Sequence, residues 1–552
     1  MNETEEPVDK QENEDDDRST SSSSSSEDEE KIGEQVRVSF TLAKDCTDRT
    51  LEVTSQPIAV PASLSRSGLS AVLNHLLGRG ETDESDEEAT SSARPIPFEF
   101  VITSQSNKSN KLLRTGIERE ARRRGVSLEE AIPVTYFPAM PTPELVHEDD
   151  QRLPDWISAM SYLSHCATHG VYSDQHIDGL LCTGGYDGSL HCFVTGGDTK
   201  QSQRTVGLRN VAERSVHGGA IKCMSTSRTS TDKQTDVWIA TGAMDHTLAL
   251  HQLTKNSVAD DNDDNLSSAY NLSLYAMCKH GHAASVESVD ITSNLLASGD
   301  WDGGLCIWKF GDPNLQPEQD EEEQQKQPSK KSKGTKSKGS SALSTTSPYI
   351  SPQISMIAHA SKVSGVSFGN HLKLSSSPSA PETIITSSWD HSLKVWNIDR
   401  QDCLMTLNGS RVVSCLDTSY HSPGIAATGH PDCTVRLWDV RSAVSSKLAF
   451  KDVAVAVADK TFRPSHNGWI SDVRWSRESP YHLSSSSHDG TVKFWDIRSS
   501  IPLYTVRAFE KKKEKALCLS YGDDGLLFSG GTDCIVKQFR VRGEGASPET
   551  VA

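Results

Sequence analysis

Hydrophobic residues first fall into order at Gln35. Val36, Val38 and Phe40 alternate with Arg37, Ser39 and Thr41, the period of two expected of a half-buried strand. The pattern then predicts a short strand over 51–54 and a helix over 67–77. In that helix Leu69, Val72, Leu73, Leu76 and Leu77 recur at helical spacing, and Gly78 stops it. A strand over 98–102, a second helix over 116–124 ended at Gly125, and a last strand over 132–136 complete a region of α+β character. Two stretches lack any apolar period. Residues 1–33 are rich in Asp, Glu and Ser, and the loop 79–94 is acidic and rich in Ser and Thr. Neither buries enough apolar area to offset the entropy of ordering, so both are expected to be disordered.

From Thr183 onward one pattern returns seven times. The copies align on Asp187, Asp245, Asp302, Asp390, Asp432, Asp489 and Asp533. Four residues earlier stands a hydroxyl, from Thr183 and Thr241 through Ser298 to Ser529, and three residues later an aliphatic. Six residues later stand Phe193, His251, Trp308, Trp396, Trp438, Trp495 and Phe539. Such periodic self-similarity marks a repeat architecture. In the third copy, Ser298 to Trp308, two strand-forming runs meet at Asp302-Gly303, a pair suited to a tight hairpin turn. The aspartate caps the turn, and the hydroxyl and indole N–H are donors that can reach toward it. Upstream histidines in four copies (His217, His282, His359 and His466) add to the donor set, which a buried carboxylate needs. The seven aspartates and these histidines are thereby assigned to structure rather than to catalysis or metal binding. The fifth copy shows no such upstream histidine.

Charge changes little in this picture. The formal net charge is -19, but residues 1–30 contribute -11 and residues 81–88 carry six acids and no base, which leaves the remainder near neutral. Twelve cysteines are scattered without a C-x-x-C pair, as small buried hydrophobes of a reducing compartment would be. The acidic start is no signal peptide, and no apolar run approaches the ~18 residues of a membrane span. Ser24, Ser25, Ser26 and Ser85 each have an acid three residues downstream, which suits an acid-directed kinase or simply a solubilising tail. No G-x-x-x-x-G-K-[ST] loop, H-E-x-x-H pair or G-x-S-x-G elbow occurs, so nucleotide hydrolysis and familiar hydrolase chemistry have no support. The chain reads as a scaffold, not an enzyme.

The repeat resembles the WD-repeat family, with Trp438-Asp439 and Trp495-Asp496 as its namesake dipeptide. That resemblance implies a mainly β fold: a seven-bladed propeller over 153–541, opened by Asp155-Trp-Ile-Ser158 and closed by a strand from outside the final blade. Seven repeats of about 42 residues need only about 294, so the span holds long insertions. The largest, 311–351, is of low complexity and includes the lysine run 330–338, a nuclear-import signal, an RNA-phosphate patch or a solvated loop. In front, 34–138 is read as a small α+β ubiquitin-like domain. Leu64-Ser-Arg-Ser-Gly-Leu-Ser70, Pro97-Phe-Glu-Phe100 and Leu112-Leu-Arg-Thr115 are similar to the Notchless-type N-terminal domain. Residues 139–152 are expected to be a linker and 542–552 a tail.

Together with Val134-Thr-Tyr136 and the prolines of 138–143, these features resemble the Ytm-type WD-repeat ribosome biogenesis proteins. The resemblance implies a non-catalytic assembly factor of the large (60S) subunit, needed for pre-rRNA processing and resident in the nucleus, in nucleolus and nucleoplasm. Its propeller would dock on an Erb-type (block-of-proliferation) propeller protein, which also holds pescadillo. Its ubiquitin-like domain would be gripped by the MIDAS domain of the AAA ATPase midasin, which removes the factor from the pre-60S particle. In that family the grip residue is a glutamate completing the coordination of the partner's Mg²⁺. Matching Gly125-Val-Ser-Leu-Glu129 to the motif places it at Glu129, with Glu130 as the alternative register. No cofactor or metal of its own, no small-molecule substrate and no membrane is implied. The rivals are a Notchless-like pre-60S factor, which an eighth blade would favour, a substrate receptor of a ubiquitin ligase, and a direct RNA binder.

Overall fold

The computed structural model describes residues 35–46, 48–79, 95–103, 111–148, 152–164, 179–197, 206–231, 234–255, 270–311, 348–369, 383–441, 460–462, 464–509, 511, 513–523 and 525–541. The expectations for the acidic tail, for the loop over 80–94, for the insertion over 312–347 with its lysine run, for the four serines and for 542–552 lie outside these residues. The described part divides into two compact units that meet in sequence at Phe137 and Pro138.

The first unit is a four-stranded sheet with two helices. β1 (Gln35–Leu42) lies between β2 (Ile58–Pro61), its antiparallel partner, and β4 (Ile132–Pro138), which runs parallel to it; β3 (Phe98–Ile102) is the far edge. Val36, Val38, Phe40 and Leu42 all point into the core, as the alternation requires. Helix α1 (Arg66–Leu76) buries Leu69 and Leu73 against the same core as Phe98 and Phe100. Gly78 and Gly125 follow α1 and α2 (Ile117–Arg123) at φ 69° and 67°, the left-handed stop that glycine permits. The short strand expected at 51–54 is absent. Asp48 accepts from the Thr50 N–H (2.9 Å) and hydroxyl (2.6 Å), which turns Arg49–Leu51 into a short 3₁₀ helix and moves the strand on to β2.

Seven further sheets form the blades of the propeller. Blade one starts at Ile157–Leu163 and blade six ends at Tyr504–Arg507. Blade seven takes three strands from 516–540 and its fourth, β5 (Glu144–Glu148), from the stretch expected to be a linker; β5 pairs antiparallel with Lys537–Arg540. The flanking prolines disguised this strand. Blade two gains a fifth, parallel strand, Tyr349–Ile350, where the chain returns from the long insertion.

Three carboxylates join neighbouring blades. Asp290 accepts from the Phe368 N–H (2.8 Å), Asp417 from that of Trp475 (2.6 Å) and Asp472 from that of Leu519 (3.0 Å), each time from the innermost strand of one blade to that of the next. The hydroxyl of Ser520 makes the same link to the Tyr162 N–H at the ring's closure (2.9 Å). Burial raises the Asp290 carboxyl and pushes that of Asp417 up to about 6.

Candidate functional site

All seven repeat turns share one backbone feature: the residue after the aligned aspartate has positive φ. Glycine supplies it at Gly188, Gly303 and Gly490, but His246, His391, Cys433 and Cys534 adopt φ of 64° to 72° in the other four. A left-handed non-glycine residue persists only where its surroundings fix it. Here the fixing comes from the aspartate's own bonds. Asp390, for instance, accepts from the Ser392 N–H (3.0 Å) and hydroxyl (2.6 Å), and Asp489 does the same with Thr491 (2.9 and 2.6 Å).

Behind the turns runs the expected donor chain, with a correction to its order. The indole N–H of Trp396 donates to Thr386 Oγ1 (2.9 Å), Thr386 meets His359 Nε2 (2.8 Å), and His359 Nδ1 meets the Asp390 carboxylate (2.9 Å). Of these three upstream groups the histidine reaches the carboxylate, while the Thr386 hydroxyl and the indole stand behind it. Blade six repeats this with Trp495, Ser485, His466 and Asp489. Burial works against ionisation of Asp390, yet the bonds from His359, Ser392 and the Ala360 N–H hold it well below the usual carboxylate range.

Blade three overturns one assignment. His282 bonds Asp300 (2.8 Å), two residues before Asp302, while Ser298 and Trp308 keep their places (2.6 and 2.8 Å). Asp300 is 5% exposed, whereas Asp302 is an exposed turn residue and not a brace. The cause is an exchange of two positions. Where blade four has Ser388 and Ser392 around Asp390, blade three has Asp300 and Gly304 around Asp302. The Asp300 carboxylate fills the room left by Gly304: a Cβ there would meet Asp300 Oδ2 at 2.5 Å. It also takes the N–H groups of Asp302 (3.0 Å) and Gly304 (2.6 Å).

Blade five supplies its missing histidine from the same slot. His430, two residues before Asp432, bonds Thr428 (2.8 Å), and its Nδ1 meets the Val412 carbonyl (2.7 Å). Asp432 is left to Thr434 and to the guanidinium of Arg436 (2.5 and 2.7 Å). An imidazole inside the repeat, two residues ahead of the aspartate, was the available signal. In blade two His217 bonds Thr241 (2.8 Å) and Thr247 (2.6 Å), and Asp245 accepts from Thr247 (2.5 Å). His251, in the tryptophan's place, is fully buried and has no hydrogen-bond partner among the described residues. In blade one, among the described residues, Asp187 bonds its own turn through Ser189 (2.6 Å), and Thr183 Oγ1 has no hydrogen-bond partner. In blade seven Lys537 pairs with Asp533 at 3.1 Å and lies over the ring of Phe509, while Ser529 Oγ has no hydrogen-bond partner among the described residues. Among the described residues no group of three or more His, Cys, Asp or Glu is placed to hold a metal ion.

Glu129 sits apart from this network, in the first unit. Helix α2 ends at Arg123, Gly125 turns the chain, and Ser127 Oγ accepts the Glu129 N–H (3.2 Å) before Ile132 buries itself in β4. Glu129 and Glu130 are both exposed in this loop. Both carboxylates are open to solvent.

The comparisons with known proteins divide along the same lines. Residues 36–119 match the NLE (NUC135) domain, and 274–309, 350–397, 401–439 and 459–496 match the WD domain, G-beta repeat. The four repeat matches end in blades three to six, the blades whose hydroxyl is capped by a tryptophan; those ending in Phe193, His251 or Phe539 are not matched. The NLE match stops short of Glu129. The chain thus joins a region similar to the NLE domain to repeats similar to the WD domain, carried by the seven blade sheets of the described residues. Along most of its length it is similar to the ribosome biogenesis protein WDR12 homolog of Chlamydomonas reinhardtii, with 29% identity over 89% of this chain and 94% of the relative. The homolog of Arabidopsis thaliana is 25% identical over 91% and 96% of the two chains. The ribosome biogenesis protein YTM1 of Eremothecium gossypii is 25% identical over 90% and 96%.

Proposed function

We propose that this protein is a non-catalytic assembly factor for the large ribosomal subunit, acting on pre-60S particles in the nucleolus and nucleoplasm. What carries the reading is co-linearity: relatives named as ribosome biogenesis proteins match across both units and about nine tenths of each chain. Seven blades, rather than eight, favour it over a Notchless-like factor. In this reading the propeller docks on an Erb-type partner that also holds pescadillo. The NLE domain presents Glu129 to Mg²⁺ in the MIDAS domain of midasin, whose pull removes the factor. The exposed carboxylate on a short loop between α2 and β4 suits that task, because Mg²⁺ accepts a single outside carboxylate into an otherwise filled octahedron.

The test is binding of the full chain to a purified MIDAS domain with Mg²⁺ present. Glu129→Ala is expected to abolish binding while Glu130→Ala leaves most of it. Undiminished binding in chelator, or by Glu129→Ala, overturns the assignment.

A further inference from the structure

One end of the propeller carries a crown of aromatic side chains that the donor chains do not use. Tyr186, Trp301, Trp389 and His488 each immediately precede the aligned turn aspartate. All four lie in ring pairs: Tyr186 with Trp156 (5.3 Å between centroids), Trp301 with Trp389 (5.4 Å) and His488 with Trp469 (6.3 Å, stacked). Backbone bonds pin two of the pairs, from the Tyr186 N–H to the Trp156 carbonyl (3.0 Å) and from the His488 N–H to that of Trp469 (2.9 Å). The rings are therefore held, yet Trp156, Trp301 and Trp469 stay 44–53% exposed. Exposed aromatic patches of this kind mark interaction surfaces.

Cations lie among the rings. Lys362 sits over both Trp301 and Trp389 (4.9 and 5.1 Å) and is neutralised by Glu287 (2.6 Å). Lys222 lies over Tyr186 (5.5 Å), and Lys515 opens blade seven beside the Trp469–His488 pair. Among the described residues neither Lys222 nor Lys515 has an acidic partner. Tyr186, Lys222, Trp389, Trp469 and His488 all border the central cavity of about 730 Å³. The crown thus encircles one mouth of the channel and is short of carboxylates at two points.

We infer that this mouth is a docking surface for a protein partner that presents an acidic loop with a bulky apolar side chain. The partner's carboxylates pair with Lys222 and Lys515, and its apolar group packs on the rings. A nucleic acid fits less well. Asp187 and Asp302 are exposed at the same turns, and in the channel Glu287, Asp290, Asp417 and Asp472 balance Lys222, Lys362, Arg474 and Arg477, so the mouth lacks the net positive field that a polyphosphate needs. The inference deepens the docking half of the proposed function and rests on it.

The experiment is calorimetric titration of the full chain with the purified propeller partner of that reading, and separately with a fluorescent single-stranded oligouridine. The double variants Trp156→Ala/Trp469→Ala and Lys222→Glu/Lys515→Glu are each expected to weaken protein binding at least about tenfold. Ile357→Ser/Ile501→Ser, on outer strands and connections elsewhere, is expected to leave it unchanged. A native thermal transition and an unchanged circular dichroism spectrum confirm that each variant is folded. Crown variants that bind the partner as tightly as wild type overturn the inference and spare the function. A wild-type chain that fails to bind the partner overturns the docking reading and the inference with it. Oligouridine binding that the crown variants lose, with protein binding intact, assigns the mouth to RNA and also overturns it.

Discussion

Blades three and four perform the same task with the carboxylate entering from different places. In blade four Asp390 belongs to the turn and reaches back to His359; in blade three Asp300 belongs to the strand before the turn and reaches His282 from beneath. The electrostatic outcomes differ. Burial lowers the proton affinity of His359, and its bond to Asp390 does not make up the loss. Burial opposes the proton on His282 too, but there the bond to Asp300, with Cys306 adjacent, raises it to about 9. One blade is braced by a neutral imidazole and its neighbour by a charged one. What the repeat preserves is a hydrogen-bonded imidazole between hydroxyl and acid, not a residue number.

The largest break in this comparison is expected from the carboxylates themselves. Asp300→Ala strands a buried imidazolium and is expected to cost about 3–5 kcal/mol. Asp390→Ala leaves only a neutral buried donor, at about 1–3 kcal/mol. Asp302→Ala, on the surface, is expected to stay within about 0.5 kcal/mol. Denaturant titration of the three variants ranks them; equal losses at 302 and 300 would put the brace back in the turn.

Next comes the exchange of positions. Gly304→Ser alone crowds Asp300 and is expected to destabilise by about 1–3 kcal/mol. Asp300→Ser/Gly304→Ser recreates the blade-four pattern around Asp302 and is expected to recover most of the combined loss. Additive losses in the double variant would show that the two slots are not exchangeable.

The pH profile sharpens the contrast further. A histidine whose folded pKa is raised adds stability below its unfolded value near 6.5, and loses it as pH rises through the folded value. For His282 that loss runs from about pH 6.5 and is complete near pH 9. A histidine whose folded pKa is lowered acts oppositely, since the unfolded chain takes the proton first and stability falls as pH drops below about 6.5. His359 and His466 act in this sense, and so do His430, lowered by burial to about 4, and His251, lowered by burial to about 3. Thermal midpoints are expected to fall on both sides of neutrality, with Asp300→Asn flattening the alkaline arm and His251→Phe the acid arm. An acid arm unaffected by His251→Phe would remove that residue from the account.

The smallest effect lies in the turns. His391 adopts φ 72°, where glycine stands in blades one, three and six, so His391→Gly is expected to gain a few tenths of a kcal/mol, up to about 1. A lower thermal midpoint would mean that the imidazole makes contacts worth more than the strain.

Much of this was legible from the residues, and the parts that were not share a cause. Strict spacing of hydroxyl, aspartate and tryptophan exposed seven hairpins, because those positions lie on one continuous strand–turn–strand. Asp300 and His430 were passed over because a side chain two residues along on the same face reaches the same point in space. The latches at Asp290, Asp417 and Asp472 pair with a blade some 50 to 80 residues further on, and nothing local announces such a partner. The β5 strand was hidden by prolines and by a partner at the opposite end of the chain. Glu129 stood out only through a family motif; the fold shows its exposure and its loop, as it would for many acids.

That closing strand has a further consequence, for the order in which the protein is made. Glu144 pairs with Arg540, so a segment synthesised early must wait for roughly 400 further residues before its sheet exists. The first unit, with β1 and β4 less than 100 residues apart, can fold while the rest is still being translated. Until the last blade emerges, both β5 and the open face of blade one are unpaired edges of the kind that template wrong associations. Circularity makes the finished ring robust and its nascent form vulnerable, and a chain cut short within blade seven is expected to aggregate rather than to yield a six-bladed product.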